Sequence, residues 1–512
     1  MNVATNLETA ALYFPERPAL ISEGKEMTYS EMNQAANRVA TAILKMGVKA
    51  GDHIGICAPN SIDWLVFYFG ILKTGAVAVT LGASLSPDEL RLLLDHAKPR
   101  ILLTADERLK DIQSLRGADG IKTAICPNGD MSFQKLLDAG SPSFEAVYRD
   151  RKDTAAILYT GGTTGIPKGV MTTHQNINTS AHNVAFSERS TEQDRAICYL
   201  PFNHVFGQMH VMNATILSAG SLELLPTFDM DKVLSLLEAG RITKLFSVPT
   251  AYVRLLSLDN LKQKLGKVRY CFSAAAAMAA EVVRQWKERT GLTIYEGYGM
   301  TESASAVTYN HYYRHVVGSI GTSVPGVEVQ IRDISTGAVL PAGEEGEICI
   351  RGTNIMKGYL NNPEATKESF WHLDPEKKRH EDGWFRSGDI GVCDKEGYVF
   401  IVDRLKDMII TGGENVYPRE VEEALYTKPE VEECAVIGLP DREWGERVAA
   451  FITPKAGKKV SADEVKAYLK TKLAPFKVPK EYVITDKLPL SAAGKILKRE
   501  IKKEYLEKLN KK

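Results

Sequence analysis

The chain alternates short apolar runs with longer stretches of helical character. Residues 53–58, 76–81, 100–104 and 155–159 read as buried strands, and 29–46, 62–74 and 86–97 as helices between them. The alternation continues through a strand at 222–225, a helix at 230–239, a strand at 244–247 and a helix at 251–258. Strands alternating with helices predict mostly parallel sheets covered by helices. From about residue 318 the texture changes. Segments 327–333, 346–351 and 398–402 are β-branched or alternating, and Gly/Pro turns separate them. They predict a smaller, more antiparallel, barrel-like β region over 318–403. After Asp403 come an acidic helix at 418–425, strands at 435–439 and 448–454, a helix at 462–473 and a Lys-rich end from Lys495. The expected fold class is α/β: a large N-terminal domain of layered sheets over 1–403, a junction at 404–406, and a small α+β domain over 407–512.

Composition narrows the function classes. Lys+Arg and Asp+Glu both number 64, so the net charge gives no reason to expect a nucleic-acid partner or an anionic membrane surface. The seven cysteines are odd in number and show no C-x-x-C spacing, which argues against a disulfide framework and a zinc knuckle. The most apolar run, 64–72, ends at Lys73 and falls far short of the ~20 residues that span a bilayer. With no basic and apolar leader at the N-terminus, the expected place is cytoplasmic, without integral membrane association.

The first candidate chemistry lies where the run 155–159 ends. Residues 159–170 read Tyr-Thr-Gly-Gly-Thr-Thr-Gly-Ile-Pro-Lys-Gly-Val. Glycine lets backbone N–H groups turn toward an anion, threonine hydroxyls add donors, and Lys168 adds a positive charge. This is not a Walker A loop, because Pro167 and Gly169 flank the lysine. The expected phosphate contacts are Thr160, Gly162, Thr163, Thr164, Gly165 and Lys168.

Further motifs follow in order: Glu-Gly-Tyr-Gly-Met-Thr-Glu-Ser at 296–303, Gly-Trp-Phe-Arg-Ser-Gly-Asp-Ile-Gly at 383–391, Asp-Arg-Leu-Lys-Asp at 403–407, Thr-Gly-Gly-Glu-Asn-Val-Tyr-Pro at 411–418 and Ser-Ala-Ala-Gly-Lys-Ile-Leu-Lys-Arg at 491–499. With the Gly/Thr-rich loop they resemble the adenylate-forming superfamily, in its branch of acyl-CoA synthetases and 4-coumarate–CoA ligases. The resemblance covers essentially the whole chain. It departs at Gly161, where the family usually has Ser, and at Gly412, where 4-coumarate–CoA ligases carry Lys.

The resemblance implies roles residue by residue. Tyr298 lies against adenine, Thr301 contacts the α-phosphate, and Glu302 holds Mg²⁺. Asp389 binds the ribose hydroxyls and Arg404 the nucleotide; Ala275, Glu296, Gly297, Gly299 and Val402 complete the ATP site. Lys406 is the hinge for rotation of a mobile C-terminal domain, Lys495 is the catalytic lysine, and Gly412, Gly413 and Glu414 meet coenzyme A. Lys498 and Arg499 read as a solvated helix face. His204, in Pro-Phe-Asn-His-Val-Phe-Gly, stands between the ATP and acyl sites. The acyl pocket is expected from His204, Phe206, Met209, Val248, Tyr252, Ala274, Ala276, Gly299 and Ala306, within segments that also include Ala277.

The implied reaction makes an acyl-adenylate from a carboxylic acid and ATP, then an acyl-CoA thioester, with AMP and pyrophosphate released. The implied cofactors are ATP, Mg²⁺ and coenzyme A, and the implied partners are the small-molecule acid and CoA, in a monomer or homodimer. No basic residue other than His210 offers to pair a second carboxylate, so a hydrophobic monocarboxylate is expected: short- or medium-chain fatty, alicyclic or aromatic. Loading of an acyl carrier protein is the alternative within this chemistry. A non-catalytic nucleotide sensor is the alternative outside it.

Overall fold

The computed structural model describes residues 1–117, 120–160, 167–276, 278–371, 383–491 and 495–510. Two large sheets form its N-terminal part. In the first, Thr154–Thr160, Val77–Thr80, His53–Cys57, Ile101–Thr104 and Thr123–Ile125 run parallel in that spatial order. Lys168–Thr173 and Gly358–Tyr359 extend its edge antiparallel. In the second, Ile294–Tyr298, Tyr270–Ser273, Lys244–Ser247, Arg195–Cys198, Ser221–Leu224 and Pro18–Ser22 run parallel, with antiparallel short strands at both edges.

The helices between the sheets form where the sequence supplies caps and apolar faces. Tyr29–Lys45 starts in a capping box made by Thr28 and Glu31 and buries Met32, Ala36, Val39 and Ile43 on one stripe. Ile62–Lys73 is capped by Ser61, whose side chain accepts from the Trp64 N–H, and is buried from Trp64 to Lys73. A helix apolar all round has to be interior. Lys73 closes it with an ammonium paired to Glu8, which offsets the cost of burying that charge. Apolar residues of both sheets join this helix in one core, while Val77, Val79, Leu102 and Ile157 of the first sheet pack in a second cluster with Leu90, Leu93 and Leu94.

The smaller β region is an antiparallel sheet. Val327–Arg332, Gly346–Gly352 and Trp384–Cys393 are adjacent, and Phe370–Trp371 and Val399–Arg404 both pair with Trp384–Cys393. A last sheet, built on the long hairpin Val431–Asp441 and Gly445–Pro454, takes in Ile409–Thr411 and Glu414–Val416 on one side and Glu481–Ile484 on the other. It has its own apolar core, centred on Val421, Leu425, Val436 and Leu469. Strand Val399–Arg404 belongs to the third sheet and Ile409–Thr411 to the last, so the chain changes sheets across 405–408.

Candidate functional site

Three segments far apart in sequence meet at the edge of the first sheet. Strands Thr154–Thr160 and Lys168–Thr173 pair so that Thr160 faces Lys168. Gly161, Gly162, Thr163, Thr164 and Gly165 lie outside the described residues, as does Ala277. The Lys168 ammonium stands 4.6 Å from the centre of the Tyr359 ring. The Tyr359 hydroxyl donates to Glu302 Oε1 at 2.9 Å. Glu302 lies in the 3₁₀ turn Thr301–Ser303, just after strand Ile294–Tyr298. Desolvation pushes its carboxyl above the usual range, while Tyr359, Lys168 and Arg404 pull it back.

A second group meets beside this one. The Tyr298 hydroxyl donates to Asp389 Oδ2 at 2.5 Å, and Arg404 Nε lies 3.3 Å from Asp389 Oδ1. Register places both acid and arginine, because Asp389 is directly opposite Arg404 across the antiparallel pair. Lys495, from the C-terminal part, reaches into this group. Burial first and then the Arg404 charge lower its ammonium to about 8, against the pull of Asp389. Burial and the Lys495 charge lower His204 to about 4, so His204 is neutral at pH 7. Tyr298, Asp389 and Arg404 are thus in direct contact, Lys406 and Lys495 lie within electrostatic reach of Asp389 and Arg404, and His204 lies within reach of Lys495.

The backbone here is strained. Ala275, Ala304 and Ser305 have φ of 70°, 47° and 94°, where a residue with a Cβ costs about 1 kcal/mol or more. Gly299 has no alternative residue, since a Cβ there would lie 1.2 Å from the Ser305 carbonyl oxygen. Val402 sits in the strand that presents Arg404. Glu296 is on the strand of Gly297 and Tyr298, but its charged neighbours are Arg419 and Glu423 from the C-terminal part; burial raises its carboxyl to about 8. Asp403 Oδ2 accepts from the Arg419 N–H at 2.9 Å, tying the helix Pro418–Tyr426 to the strand end.

On the acyl side, Phe206, Met209, Val248, Tyr252 and Ala306 are buried, and Ala274 and Ala276 are half-buried. Tyr252 is an interior residue: its hydroxyl donates to the Leu245 and Phe272 carbonyls and its ring meets Trp286 edge-on. Residues Phe206–Asn213 form a π-helix, a form frequent at functional sites. It places His210 Nε2 2.8 Å from both Glu188 Oε1 and the Tyr309 hydroxyl. The Lys244 ammonium sits 3.0 Å from the other Glu188 oxygen. Val248 lines a cavity of about 190 Å³ with Tyr199, Phe228, Ala251 and Arg254, and Leu490 and Ser491, shortly before Lys495, line it too.

The 411–418 motif lies elsewhere. Gly412, Gly413 and Glu414 are exposed, with φ of 60° and 85° at the glycines. A Cβ at Gly412 would meet the Trp444 ring at 2.6 Å. Lys498 corrects the reading of a solvated face: its ammonium lies 2.7 Å from Glu422 with its side chain 25% exposed, because helix Lys498–Asn510 packs against strand Val431–Asp441. Tyr359 was missed in the sequence. Its signal was the Gly-Tyr pair followed by Asn362-Pro363, a strand end leading into a capped helix.

Among the described residues, no group of three or more His, Cys, Asp or Glu could hold a metal ion, and no helix is long and apolar enough to cross a membrane. Residues 7–360 match the AMP-binding enzyme family, and 420–495 the AMP-binding enzyme C-terminal domain. A feruloyl-CoA synthase of Amycolatopsis is 36% identical over 96% of each chain. A long-chain-fatty-acid–CoA ligase of Bacillus subtilis is 33% identical over 98% of this chain and 94% of its own. ATP-bound MatB from Rhodopseudomonas palustris superposes with a TM-score of 0.91 at 34% identity over 99% of both chains. Apo MatB, at the same identity and coverage, superposes at 0.81.

Proposed function

We propose that this chain, which belongs to the AMP-binding enzyme family and is an AMP-forming acid–thiol ligase using ATP and CoA, acts on a hydrophobic monocarboxylic acid: short- or medium-chain fatty, alicyclic or aromatic. The observation that carries the site assignment is Lys495, from the C-terminal part, set among Asp389, Arg404 and His204. That is the arrangement a first, adenylating half-reaction needs. The better superposition on ATP-bound than on apo MatB supports the same reading of the domain arrangement.

In this reading residues 1–403 are the adenylation domain, with the β-rich region at its end, and 407–512 rotate about 404–406. Tyr298 supports the base and Asp389 accepts from the ribose hydroxyls. Thr160, Thr301 and Lys168 meet the phosphates. Magnesium arrives as MgATP, and Glu302 fits as its one protein carboxylate, since Mg²⁺ keeps mostly phosphate and water oxygens. The acid's carboxylate oxygen attacks the α-phosphorus as the bond to pyrophosphate breaks. Lys495 and Thr301 stabilise the charge that builds there, and neutral His204 steadies the carboxylate. Rotation then withdraws Lys495, and the CoA thiol, guided by Gly412, Gly413 and Glu414, attacks the acyl carbonyl and expels AMP.

The choice of acid rests on how the bases on the acyl side are engaged among the described residues: Arg254, which lines the cavity beside Val248, lies 3.7 Å from Glu433 Oε1. His210 and Lys244 are committed to Glu188, and Phe206 and Phe272 crowd His210, so neither base is free for a distal carboxylate. A panel of mono- and dicarboxylic acids, scored by AMP release with and without CoA, is expected to favour apolar monoacids by at least about tenfold. Preference for a dicarboxylate contradicts the reading, and thioester formed only on a carrier protein replaces CoA as acceptor. Asp389→Asn keeps the shape but removes the charge facing Arg404 and the ribose. The KM for ATP in pyrophosphate exchange is expected to rise about 10–100-fold, the size of a lost hydrogen bond to a charged group.

A further inference from the structure

Tyr359 belongs to no motif of the proposed reaction, yet its segment joins two of them. Strand Gly358–Tyr359 pairs with Lys168–Thr173, Tyr359 standing opposite Val170. On either side of that pairing, the Lys357 N–H donates to the Met171 carbonyl at 2.9 Å and the Leu360 N–H to the Gly169 carbonyl at 2.7 Å. One step back, the Met356 N–H donates to the Glu302 carbonyl at 2.7 Å. Five residues thus stitch the strand that starts at Lys168 to the turn that carries Glu302. The Tyr359 N–H donates to Thr366 Oγ1 at 2.9 Å, which fixes the tyrosine to the following helix.

The side chain repeats the connection. The ring lies under the Lys168 ammonium, while the hydroxyl holds one oxygen of the Glu302 carboxylate. Tyr359 is 6% exposed, so its position is set by packing. A single phenol therefore fixes the separation of a cation and an anion that flank the same cleft. It leaves Glu302 Oε2 free of that bond, and it leaves the ammonium its N–H donors, because the ring attracts the cation without accepting a hydrogen bond in line.

We infer that Tyr359 is a positioning residue for MgATP, holding the Glu302 carboxylate for the magnesium and the Lys168 ammonium for the phosphates at one fixed spacing. This rests on the proposed assignment of Glu302 and Lys168 to the metal–triphosphate. The hydroxyl acts on the metal side and the ring on the phosphate side, so the two halves of the side chain are separable by substitution.

The test is equilibrium binding of ATP by calorimetry, with saturating Mg²⁺ and with EDTA, to wild type, Tyr359→Phe, Tyr359→Leu, Glu302→Gln and the double variant Tyr359→Phe/Glu302→Gln. Tyr359→Phe is expected to weaken MgATP about tenfold, the usual effect of losing a hydrogen bond to a charged group, and to change metal-free ATP less than twofold. A merely structural defect would weaken the two forms alike. Tyr359→Leu should weaken both forms. The double variant should match Glu302→Gln within twofold, because the hydroxyl then has no carboxylate to hold. If Glu302→Gln weakens MgATP and Tyr359→Phe does not, the inference about Tyr359 falls alone. If Glu302→Gln also binds MgATP normally, the assignment of Glu302 falls and the inference with it. Equal weakening of both ATP forms by Tyr359→Phe overturns the metal-side role, and an unchanged melting temperature without nucleotide verifies that the variant is folded.

Discussion

Lys495→Ala is expected to lower acyl-adenylate formation by about 10²–10³-fold, the range seen when one fixed electrostatic stabiliser is removed from a reacting phosphoryl or acyl centre. Thioester formation from supplied acyl-adenylate should stay within about twofold of wild type, because the second step proceeds with Lys495 withdrawn. Pyrophosphate exchange measures the first half-reaction, and thiol consumption with added acyl-adenylate the second. Equal loss of both would remove the assigned role. The pH dependence follows from the same group. Its ammonium is lowered to about 8 by burial and Arg404, so it is protonated below that value and neutral above it. For the free enzyme, kcat/KM of adenylation should be level below pH 8 and fall as pH rises through it. Bound triphosphate favours the ammonium, so the corresponding limb in kcat should move to higher pH. In Lys495→Ala the limb should vanish from the residual activity.

Lys406→Pro should separate the half-reactions in the opposite sense. Lys406 lies in the turn between strand Val399–Arg404, in the third sheet, and Ile409–Thr411, in the last. The turn is held by Leu405 N–H donating to the Gly388 carbonyl at 3.0 Å and by Asp407 N–H donating to the Arg404 carbonyl at 3.0 Å. Rotation of one sheet system against another concentrates its dihedral change in a few such residues. Proline fixes φ near −65° and restricts the residue before it. Adenylation should be retained within a few-fold, while the rate of thioester formation falls about tenfold or more. Lys406→Gly, which keeps the freedom and removes the side chain, should retain both. Thioester output unchanged in Lys406→Pro would place the hinge elsewhere.

What the sequence made legible was local. The runs at 53–58, 76–81 and 155–159 become the parallel strands His53–Cys57, Val77–Thr80 and Thr154–Thr160, because β-branched clusters bounded by helices have little choice but a buried sheet. The change of texture after Asp403 coincides with the change of sheet. Motif residues were legible where chemistry is packed into a few consecutive positions, as at 296–303 and 403–407. The rest depended on packing between distant segments. Opposition of Asp389 and Arg404 is a matter of strand register. The Lys168–Tyr359–Glu302 contact joins three segments, none of which shows it alone. The π-helix at Phe206–Asn213 has no propensity pattern of its own, and it decides that His210 turns into the Glu188 network. Tyr252, read as a pocket wall, has its hydroxyl taken by two strand carbonyls, and Lys498, read as solvated, is drawn to Glu422.

Tyr298, Asp389, Arg404 and Lys495 form a single nucleotide site in this reading, although they come from four separate segments of the chain. A crystal structure with a non-hydrolysable acyl-adenylate analogue tests it most directly. It is expected to show the base against Tyr298, the ribose hydroxyls on Asp389 and the phosphoryl group between Thr301 and the Lys495 ammonium, with Arg404 still paired to Asp389. An adenylate bound away from Asp389, with Lys495 in contact with no part of it, would rule out the shared nucleotide site.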